Sequence, residues 1–234
     1  MRVIGLLGGM SWESTVEYYR IINEEIRRRL GRQHSARILL YSVDFEEIEL
    51  LQSAGEWTTA GKLLAGEAVR LEKGGADLLL LCTNTMHKVA PAIEAAVGIP
   101  LVHIADATAE RVIAADSRCV GLLGTRFTME EDFYVSRLAD RHGLQVFVPP
   151  PEDRAVVDRV IFDELCQGVI SPKSRGEYVR IIQALAARGA EGVILGCTEI
   201  GLLIQPEHSP IPVYDTARIH AERGVELALT SSIS

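Results

Sequence analysis

Two stretches of this chain repeat one pattern, and this repeat constrains the fold more strongly than any other feature of the sequence. Residues 188–199 hold a short apolar run, 192–195, that leads to Cys197. Residues 74–85 have the same layout and place Thr83 where the later stretch has Cys197, 114 residues further on. Matches on either side keep the same order, at offsets of 116 and 112 residues. We therefore interpret the chain as an internal duplication of one unit, in which a buried strand ends on a polar residue.

Strands and helices are expected to alternate along both halves of the chain. In the first half the apolar periodicity predicts strands at 2–7, 36–43 and 77–81, helices at 12–30, 58–73 and about 86–96, and a polar turn-and-helix segment at 44–52. Such alternation is typical of an α/β fold with parallel sheets and right-handed crossovers. Asp106 and Asp215 each follow a predicted strand and are expected to cap the next helix.

The duplication predicts two similar Rossmann-like lobes, each built on a parallel sheet. Residues 1–100 plus 211–234 are expected to form the N-terminal lobe, which carries Thr83. Residues 101–210 are expected to form the C-terminal lobe, which carries Cys197. Because ligands bind beyond the carboxyl ends of parallel strands, we expect the active site in the cleft between the two lobes.

The composition argues against several classes of function. The net charge of −8 disfavours nucleic-acid binding, since phosphate backbones generally require a basic face. The apolar stretches are far shorter than the roughly 18–20 residues that span a bilayer, and the first residues lack a signal-peptide layout, so we expect a cytoplasmic protein. The four cysteines are widely spaced, which disfavours a metal cage or a redox pair, and the absence of a G-x-G-x-x-G motif disfavours a dinucleotide cofactor.

Cys197 and Thr83 are the candidate catalytic residues. A helix after Cys197 would offer backbone N–H groups and the positive end of its dipole, which lower the pKa of a thiol towards neutrality and favour a thiolate base or nucleophile. The alternative is a buried structural thiol, which is the role expected for Cys82, Cys119 and Cys166. Thr83 is either the partner of Cys197 or a helix cap. Because a hydroxyl is a poor base, any symmetry between the two positions is imperfect.

Further polar residues follow the two predicted strand ends. Donors beside helix N-termini suit a carboxylate, and simple capping is the alternative for each of them. The residues concerned are Asn84, Thr85, Thr198 and Glu199. His87 either polarises a neighbour or has a structural role. The glycine pair before Met10 lets a backbone approach a ligand closely, and Thr125 lies in the matching loop.

At these residues the chain resembles the aspartate/glutamate racemase family, whose members racemise amino acids without pyridoxal phosphate. The opening segment 5–15 resembles the family's first loop, and Thr-Asn-Thr-Met-His at 83–87 is similar to its Cys-Asn-Thr-x-His motif. Gly-Cys-Thr-Glu-Ile at 196–200 matches its second cysteine motif. The resemblance covers essentially the whole chain. It implies a two-lobed, pseudo-symmetric fold with catalysis in the interlobe cleft and with neither a metal nor a cofactor.

The resemblance also implies roles for individual residues. In the family, a thiolate removes the α-proton from one face of the amino acid, and the residue opposite returns a proton to the other face. Here that pair would be Cys197 and Thr83. The remaining implied residues are those that hold the α-carboxylate (Asn84, Thr85 and Thr198) and those that shape the substrate end (Met10, Gln52 and Thr125).

The sequence departs from the family pattern at Thr83, where most members have cysteine. In this it resembles a subgroup of bacterial aspartate/glutamate-type racemases, some of broad specificity, that pair threonine with cysteine. Cys197 is then expected to be the stronger base. Relatives that decarboxylate arylmalonates with a single cysteine share the motif and are the closest enzymatic alternative. A cytoplasmic small-ligand binding protein is the non-enzymatic alternative. We also expect self-association, as a dimer.

Overall fold

The computed structural model describes residues 1–230, and within them eight strands form two four-stranded parallel sheets. The first sheet contains β1 (Ile4–Gly8), β2 (Ile38–Ser42), β3 (Leu78–Leu81) and β4 (Leu101–Val102). The second contains β5 (Cys119–Gly124), β6 (Gln145–Phe147), β7 (Gly192–Gly196) and β8 (Val213–Asp215). The strand orders are β2-β1-β3-β4 and β6-β5-β7-β8, which is one arrangement used twice. The predicted α/β fold with two similar Rossmann-like sheets is confirmed.

Helices connect these strands. They are α1 (Trp12–Leu30), α2 (Phe45–Ser53), α3 (Trp57–Lys73), α4 (Ala90–Glu94), α5 (Ile104–Ala114), α6 (Arg126–Glu130), α7 (Asp132–Ser136), α8 (Pro151–Asp163), α9 (Pro172–Ala187), α10 (Ile200–Leu203) and α11 (Thr216–Leu229). Short 3-10 segments occupy Thr85–Val89, Leu165–Gln167 and Pro206–His208, and a π-helical turn occupies Arg137–Arg141. Among residues 1–230, none of the helices combines the length and the apolar character that crossing a membrane requires.

The helix α1 has the predicted bounds, and its packing explains why. Tyr18, Ile22 and Ile26 recur every four positions and are fully buried on one face. The outer face carries pairs such as Arg20 with Glu24, whose charged atoms lie 2.9 Å apart. The helix predicted near residues 86–96 is instead divided into the 3-10 segment Thr85–Val89 and the short helix α4.

Each sheet has its own apolar core. In the first, Leu7 and Leu81 from neighbouring strands lie in one cluster with Leu64 of α3. In the second, Leu195 of β7 lies in one cluster with Ile181 of α9. Each such buried side chain stabilises the fold by roughly 1.5–3 kcal/mol. The strands are therefore held firmly up to the residues where their carboxyl-terminal loops begin.

The chain divides into two compact units, and the boundaries between them follow from the pairing of the strands. The first unit comprises Met1–Ile104 and the segment that starts at His220, and the second comprises Ala105–Ile219. The boundaries expected at residues 100/101 and 210/211 precede these by four and nine residues. The reason is that β4 hydrogen-bonds to β3 and β8 hydrogen-bonds to β7, so each sheet keeps its fourth strand.

Of the two aspartates that were expected to cap helices, only Asp215 does so. Its Oδ1 accepts a hydrogen bond from the backbone N–H of Arg218, 3.1 Å away, in the first turn of α11. Asp106 lies inside α5 and pairs instead with Arg137 at 2.6 Å and with His142 at 3.0 Å. The expectation for Asp106 was wrong because α5 begins two residues earlier, at Ile104.

Candidate active site

The strand order creates one topological switch point in each unit. In the first sheet the chain leaves β1 towards β2 on one side and returns to β3 on the other, so β1 and β3 flank the switch point. In the second sheet β5 and β7 do the same. The crevice outside the carboxyl ends of such strands is where open α/β sheets bind ligands. The repeated motifs of this sequence lie in these four loops.

The structure divides the eight predicted site residues between the two units. The first unit holds Met10 after β1, Thr83, Asn84 and Thr85 after β3, and Gln52 on α2. The second holds Thr125 after β5, and Cys197 and Thr198 after β7. All eight are buried. Seven of the eight are polar or carry a thiol, and most buried side chains of this kind have hydrogen-bond partners in folded proteins.

In the loop after β1, the backbone is shaped by a glycine. Gly9 has a φ of +91°, and a Cβ at this position would lie 2.5 Å from the carbonyl oxygen of Val43. Its N–H donates to Oγ1 of Thr15 at 2.9 Å. These contacts fix the path of the loop that presents Met10 to the interior of the first unit.

Thr83 is held by its backbone. The Nδ1 of His87 lies 2.7 Å from the carbonyl oxygen of Thr83, and its Nε2 lies 3.2 Å from the backbone nitrogen of Ile104. Since Nε2 accepts from that N–H, the ring proton is assigned to Nδ1, which donates to Thr83. Of the two roles considered for His87, these bonds support the structural one: the ring positions the main chain that carries the Thr83 hydroxyl.

A cluster of imidazoles surrounds His87. The ring centroids of His103 and His220 lie 4.4 Å and 6.0 Å from that of His87. His220 donates from Nε2 to the carbonyl oxygen of Val102 at 2.7 Å, and its Nδ1 accepts from the hydroxyl of Tyr18 at 2.8 Å. Burial lowers the pKa of His220 to about 4, so this ring is neutral at physiological pH.

No group of three or more His, Cys, Asp and Glu side chains within residues 1–230 is arranged to hold a metal ion. The imidazole cluster illustrates the reason. Both ring nitrogens of His87 and of His220 are already engaged in hydrogen bonds to the protein.

Cys197 lies at the end of β7 in contact with a carboxylate. Its Sγ is 2.9 Å from Oε2 of Glu199, and the hydroxyl of Thr198 donates to the same oxygen at 3.0 Å. Cys197 is 8% exposed and Glu199 is 2% exposed. Burial raises the pKa of the Cys197 thiol well above its usual range, and the charge of Glu199 raises it further.

The expectation of a lowered pKa at Cys197 was therefore wrong, and two features explain the error. The helix that follows, α10, is only four residues long and contributes little dipole. The neighbouring charge comes from a carboxylate, which favours the neutral thiol. In this structure Cys197 is a protonated thiol that donates a hydrogen bond to the carboxylate of Glu199.

Glu199 is the site residue whose role sequence reasoning missed. It was grouped with the donors suited to a substrate carboxylate, although an ionised side chain of this kind only accepts hydrogen bonds. The available signal was its position two residues after the cysteine, beyond a strand end, where a turn brings the two side chains together. Thr125 caps α6, since its Oγ1 accepts from the N–H of Thr128 at 3.4 Å.

Comparisons with known proteins agree with this architecture. The family model described as Asp/Glu/Hydantoin racemase matches residues 7–224. The broad specificity amino-acid racemase RacX of Bacillus subtilis (strain 168) is 23% identical over 243 residues, covering 97% of this chain and 98% of the relative.

Two crystal structures of other proteins are also similar to this chain over nearly their whole length. A candidate Asp/Glu racemase from Yersinia pestis is 52% identical, with a TM-score of 0.91 over 98% of this chain and 100% of the other. An aspartate racemase homologue from Pyrococcus horikoshii is 38% identical, with a TM-score of 0.84 over 97% of this chain and 99% of the other.

Proposed function

Because this chain belongs to the Asp/Glu/Hydantoin racemase family, we propose that it is an amino-acid racemase that inverts the α-carbon by two-sided proton transfer between Cys197 and Thr83, without a cofactor. The observation that carries the proposal is the position of these two residues. They occupy corresponding places just beyond the ends of β3 and β7, at the switch points of two sheets with the same strand order. Inversion needs one proton-transfer group for each face of the substrate. A duplicated unit supplies one from each copy.

The proposed chemistry assigns each of the two residues a proton. The sulfur of Cys197 removes the α-proton from one face, and the electron pair left on the α-carbon spreads into the substrate carboxylate as an enediolate. The hydroxyl of Thr83 gives a proton to the opposite face and is replenished from water. General acid–base groups placed in this way contribute typically about 10²–10⁴-fold each to the rate.

The donors beside these residues are assigned to the α-carboxylate. Asn84 and Thr85 follow Thr83, and Thr198 follows Cys197. Hydrogen-bond donors are most useful where negative charge develops, and in this reaction the charge develops on the carboxylate oxygens. This placement gives the donors a role in the transition state as well as in binding.

An acidic or small polar amino acid is the substrate class that we propose, with broad specificity. The relative RacX is described as a broad specificity racemase, and the Yersinia pestis relative as a candidate Asp/Glu racemase. Met10, Gln52 and Thr125 are assigned to the side-chain end of the substrate. The buried amide of Gln52 offers both donors and acceptors, which suits a polar side chain without restricting it to a carboxylate.

A homodimer in the cytoplasm is also part of this proposal. The outer face of α1 exposes Trp12 at 64%, Val16 at 52% and Tyr19 at 56% of their surfaces. Large apolar side chains that are grouped on one helix face are typical of surfaces that pair with another protein.

The proposal is tested by incubating the protein with a panel of L-amino acids in deuterated water, followed by chiral separation and mass analysis. We expect deuterium at the α-carbon and formation of the D-enantiomer for at least one acidic or polar amino acid. Cys197→Ala should reduce α-proton exchange by roughly 100-fold or more. Cys119→Ala is the matched control, because Cys119 lies in β5 of the same unit with its thiol near Gln145.

Other outcomes would contradict the proposal in distinct ways. Undiminished exchange in Cys197→Ala would remove the cysteine from the mechanism. Decarboxylation of an arylmalonate without amino-acid racemisation would support the single-cysteine alternative. Saturable binding of an amino acid with no exchange, unaffected by Cys197→Ser, would point to a binding protein.

A further inference from the structure

We propose that Glu199 is a catalytic residue whose carboxylate takes the thiol proton of Cys197, so that the two side chains share one proton and the thiolate forms inside this pair. The inference rests on the racemase proposed above and assigns the missing proton acceptor of its cysteine. Its basis is the 2.9 Å contact between Sγ and Oε2, made between two side chains that are almost completely buried.

The need for an acceptor follows from the state of the sulfur. A thiol removes no α-proton until it has lost its own, and Cys197 is a thiol in this structure. The titratable groups that act on its sulfur are Glu199 and Cys166, and Tyr178 of α9 lies in the same apolar cluster. Asp158 and Glu164 act in turn on Tyr178. All five of these groups are acids, so their ionisation opposes a free thiolate. Glu199 touches the sulfur and is a proton acceptor.

Transfer within the pair also avoids burying a second charge. If the thiol proton left to solvent, a thiolate and a carboxylate would lie 2.9 Å apart in a site with little water. If the proton moves from Sγ to Oε2, the S–H bond breaks, an O–H bond forms and the electron pair stays on sulfur. The charge of the pair remains −1 during this transfer. Two acidic groups that share one proton are an established way to keep one of them basic.

The thiolate that this transfer leaves then carries out the first half of the reaction. The thiolate takes the α-proton, which re-forms the S–H bond and sends the electrons of the broken C–H bond into the substrate carboxylate. Glu199 keeps the former thiol proton and is neutral during this step, so the developing enediolate does not meet a second negative charge. Once water has replenished Thr83, Glu199 releases this proton to the hydroxide that remains and is a carboxylate again. Until a substrate binds, the hydroxyl of Thr198 donates to the same Oε2 at 3.0 Å and keeps the carboxylate beside the sulfur.

Glu199→Gln separates this role from its alternatives. Glutamine has the same size and keeps an acceptor oxygen near Sγ, but it does not take a proton. Two measurements are made: α-deuterium incorporation in the presence of substrate, and the rate of Cys197 alkylation by iodoacetamide against pH, followed by peptide mass analysis. Glu164→Gln is the matched control, since it removes a carboxylate of the same unit that binds Ser174.

The two measurements should move in opposite directions. With the negative neighbour gone, the alkylation midpoint should fall by about 1–3 pH units. Without a proton acceptor, α-deuterium incorporation should fall by at least about 100-fold. If Glu199 served only to keep the sulfur protonated, both the thiolate fraction and the exchange rate would rise. That outcome, or two unchanged measurements, would overturn the proposal.

A second variant covers the case in which glutamine disturbs folding. Glu199→Asp keeps an acid on a shorter side chain and should exchange α-protons faster than Glu199→Gln, within about tenfold of the natural protein. Exchange no faster than in the glutamine variant would argue against proton transfer. A natural protein that exchanges no α-proton refutes the racemase itself. Normal exchange in both the natural protein and Glu199→Gln refutes only the role of Glu199.

Discussion

Replacement of His220 by glutamine should remove a large pH-dependent part of the free energy of unfolding. His220 is fully buried and makes two hydrogen bonds, one to the carbonyl oxygen of Val102 and one from the hydroxyl of Tyr18. The bond to Tyr18 joins residues 202 positions apart, so it ties α11 to α1. Protonation of the ring would place a charge in this interior and replace the acceptor at Nδ1 by a donor.

The size of the effect follows from the pKa of His220. Burial lowers it from 6.5 in the unfolded chain to about 4 in the folded protein. One pKa unit is worth about 1.4 kcal/mol, so the neutral ring contributes about 3 kcal/mol. Between these two pKa values the unfolded chain binds the proton and the folded chain does not. The contribution is therefore complete above about pH 6.5 and is lost as the pH falls towards about 4.

The assay is urea unfolding of the natural protein and of His220→Gln between pH 7.5 and pH 4. Glutamine can donate to Val102 and accept from Tyr18, but it does not titrate. The free energy of unfolding of His220→Gln should therefore fall by about 3 kcal/mol less over this pH range than that of the natural protein. Other ionisations are common to both proteins and cancel in the difference. His34→Gln, at an exposed position, is the control and should follow the natural protein. Parallel pH profiles for His220→Gln and the natural protein would refute the reasoning.

Two further predictions concern the strand ends. If Thr83 and Cys197 are the two proton-transfer groups, as proposed, Thr83→Ala leaves Cys197 alone. One enantiomer should then exchange its α-proton without inversion while the other exchanges slowly, and Thr83→Cys should restore comparable exchange of both. Exchange is measured by nuclear magnetic resonance in deuterated water, and equal exchange of both enantiomers in Thr83→Ala would leave Thr83 as a helix cap. Gly196→Ala should destabilise the second unit by roughly 1–3 kcal/mol, because its Cβ would lie 2.7 Å from Cδ1 of Leu122 and 3.0 Å from the carbonyl oxygen of Leu123. Gly176→Ala, in α9 with open space around its Cβ, should instead stabilise by up to about 1 kcal/mol, and urea midpoints that rank these two variants in the reverse order would contradict the packing argument.

Much of the fold could be predicted because its signals are local. The four-residue spacing of Tyr18, Ile22 and Ile26 is a helical period that can be read without any tertiary contact. The apolar run before Thr83 and the matching run before Cys197 mark buried strands, and their repetition predicts two units of the same kind. The end of an apolar run in the sequence marks the end of a strand in the fold. The two residues could therefore be assigned to strand ends in advance.

The contacts that close each unit had no such signal. His220 meets Val102 across 118 positions, and Asp106 of α5 meets Arg137 of the π-helical turn across 31 positions. No period or motif relates these partners. Asp106 was expected to cap a helix, and this expectation failed because that role depends on where α5 starts. The start of a helix is decided by packing and is not marked in the sequence.

The sequence alone determines three features, since each depends on near neighbours: the order of strands and helices, the duplication, and the position of a thiol and a hydroxyl at equivalent strand ends. The protonation state of Cys197 is set by the tertiary structure. It depends on how much water reaches the sulfur, on the four-residue length of α10 and on the carboxylate of Glu199 at 2.9 Å. A pKa measures the free energy of a charge in its surroundings, and those surroundings exist only once the chain has folded.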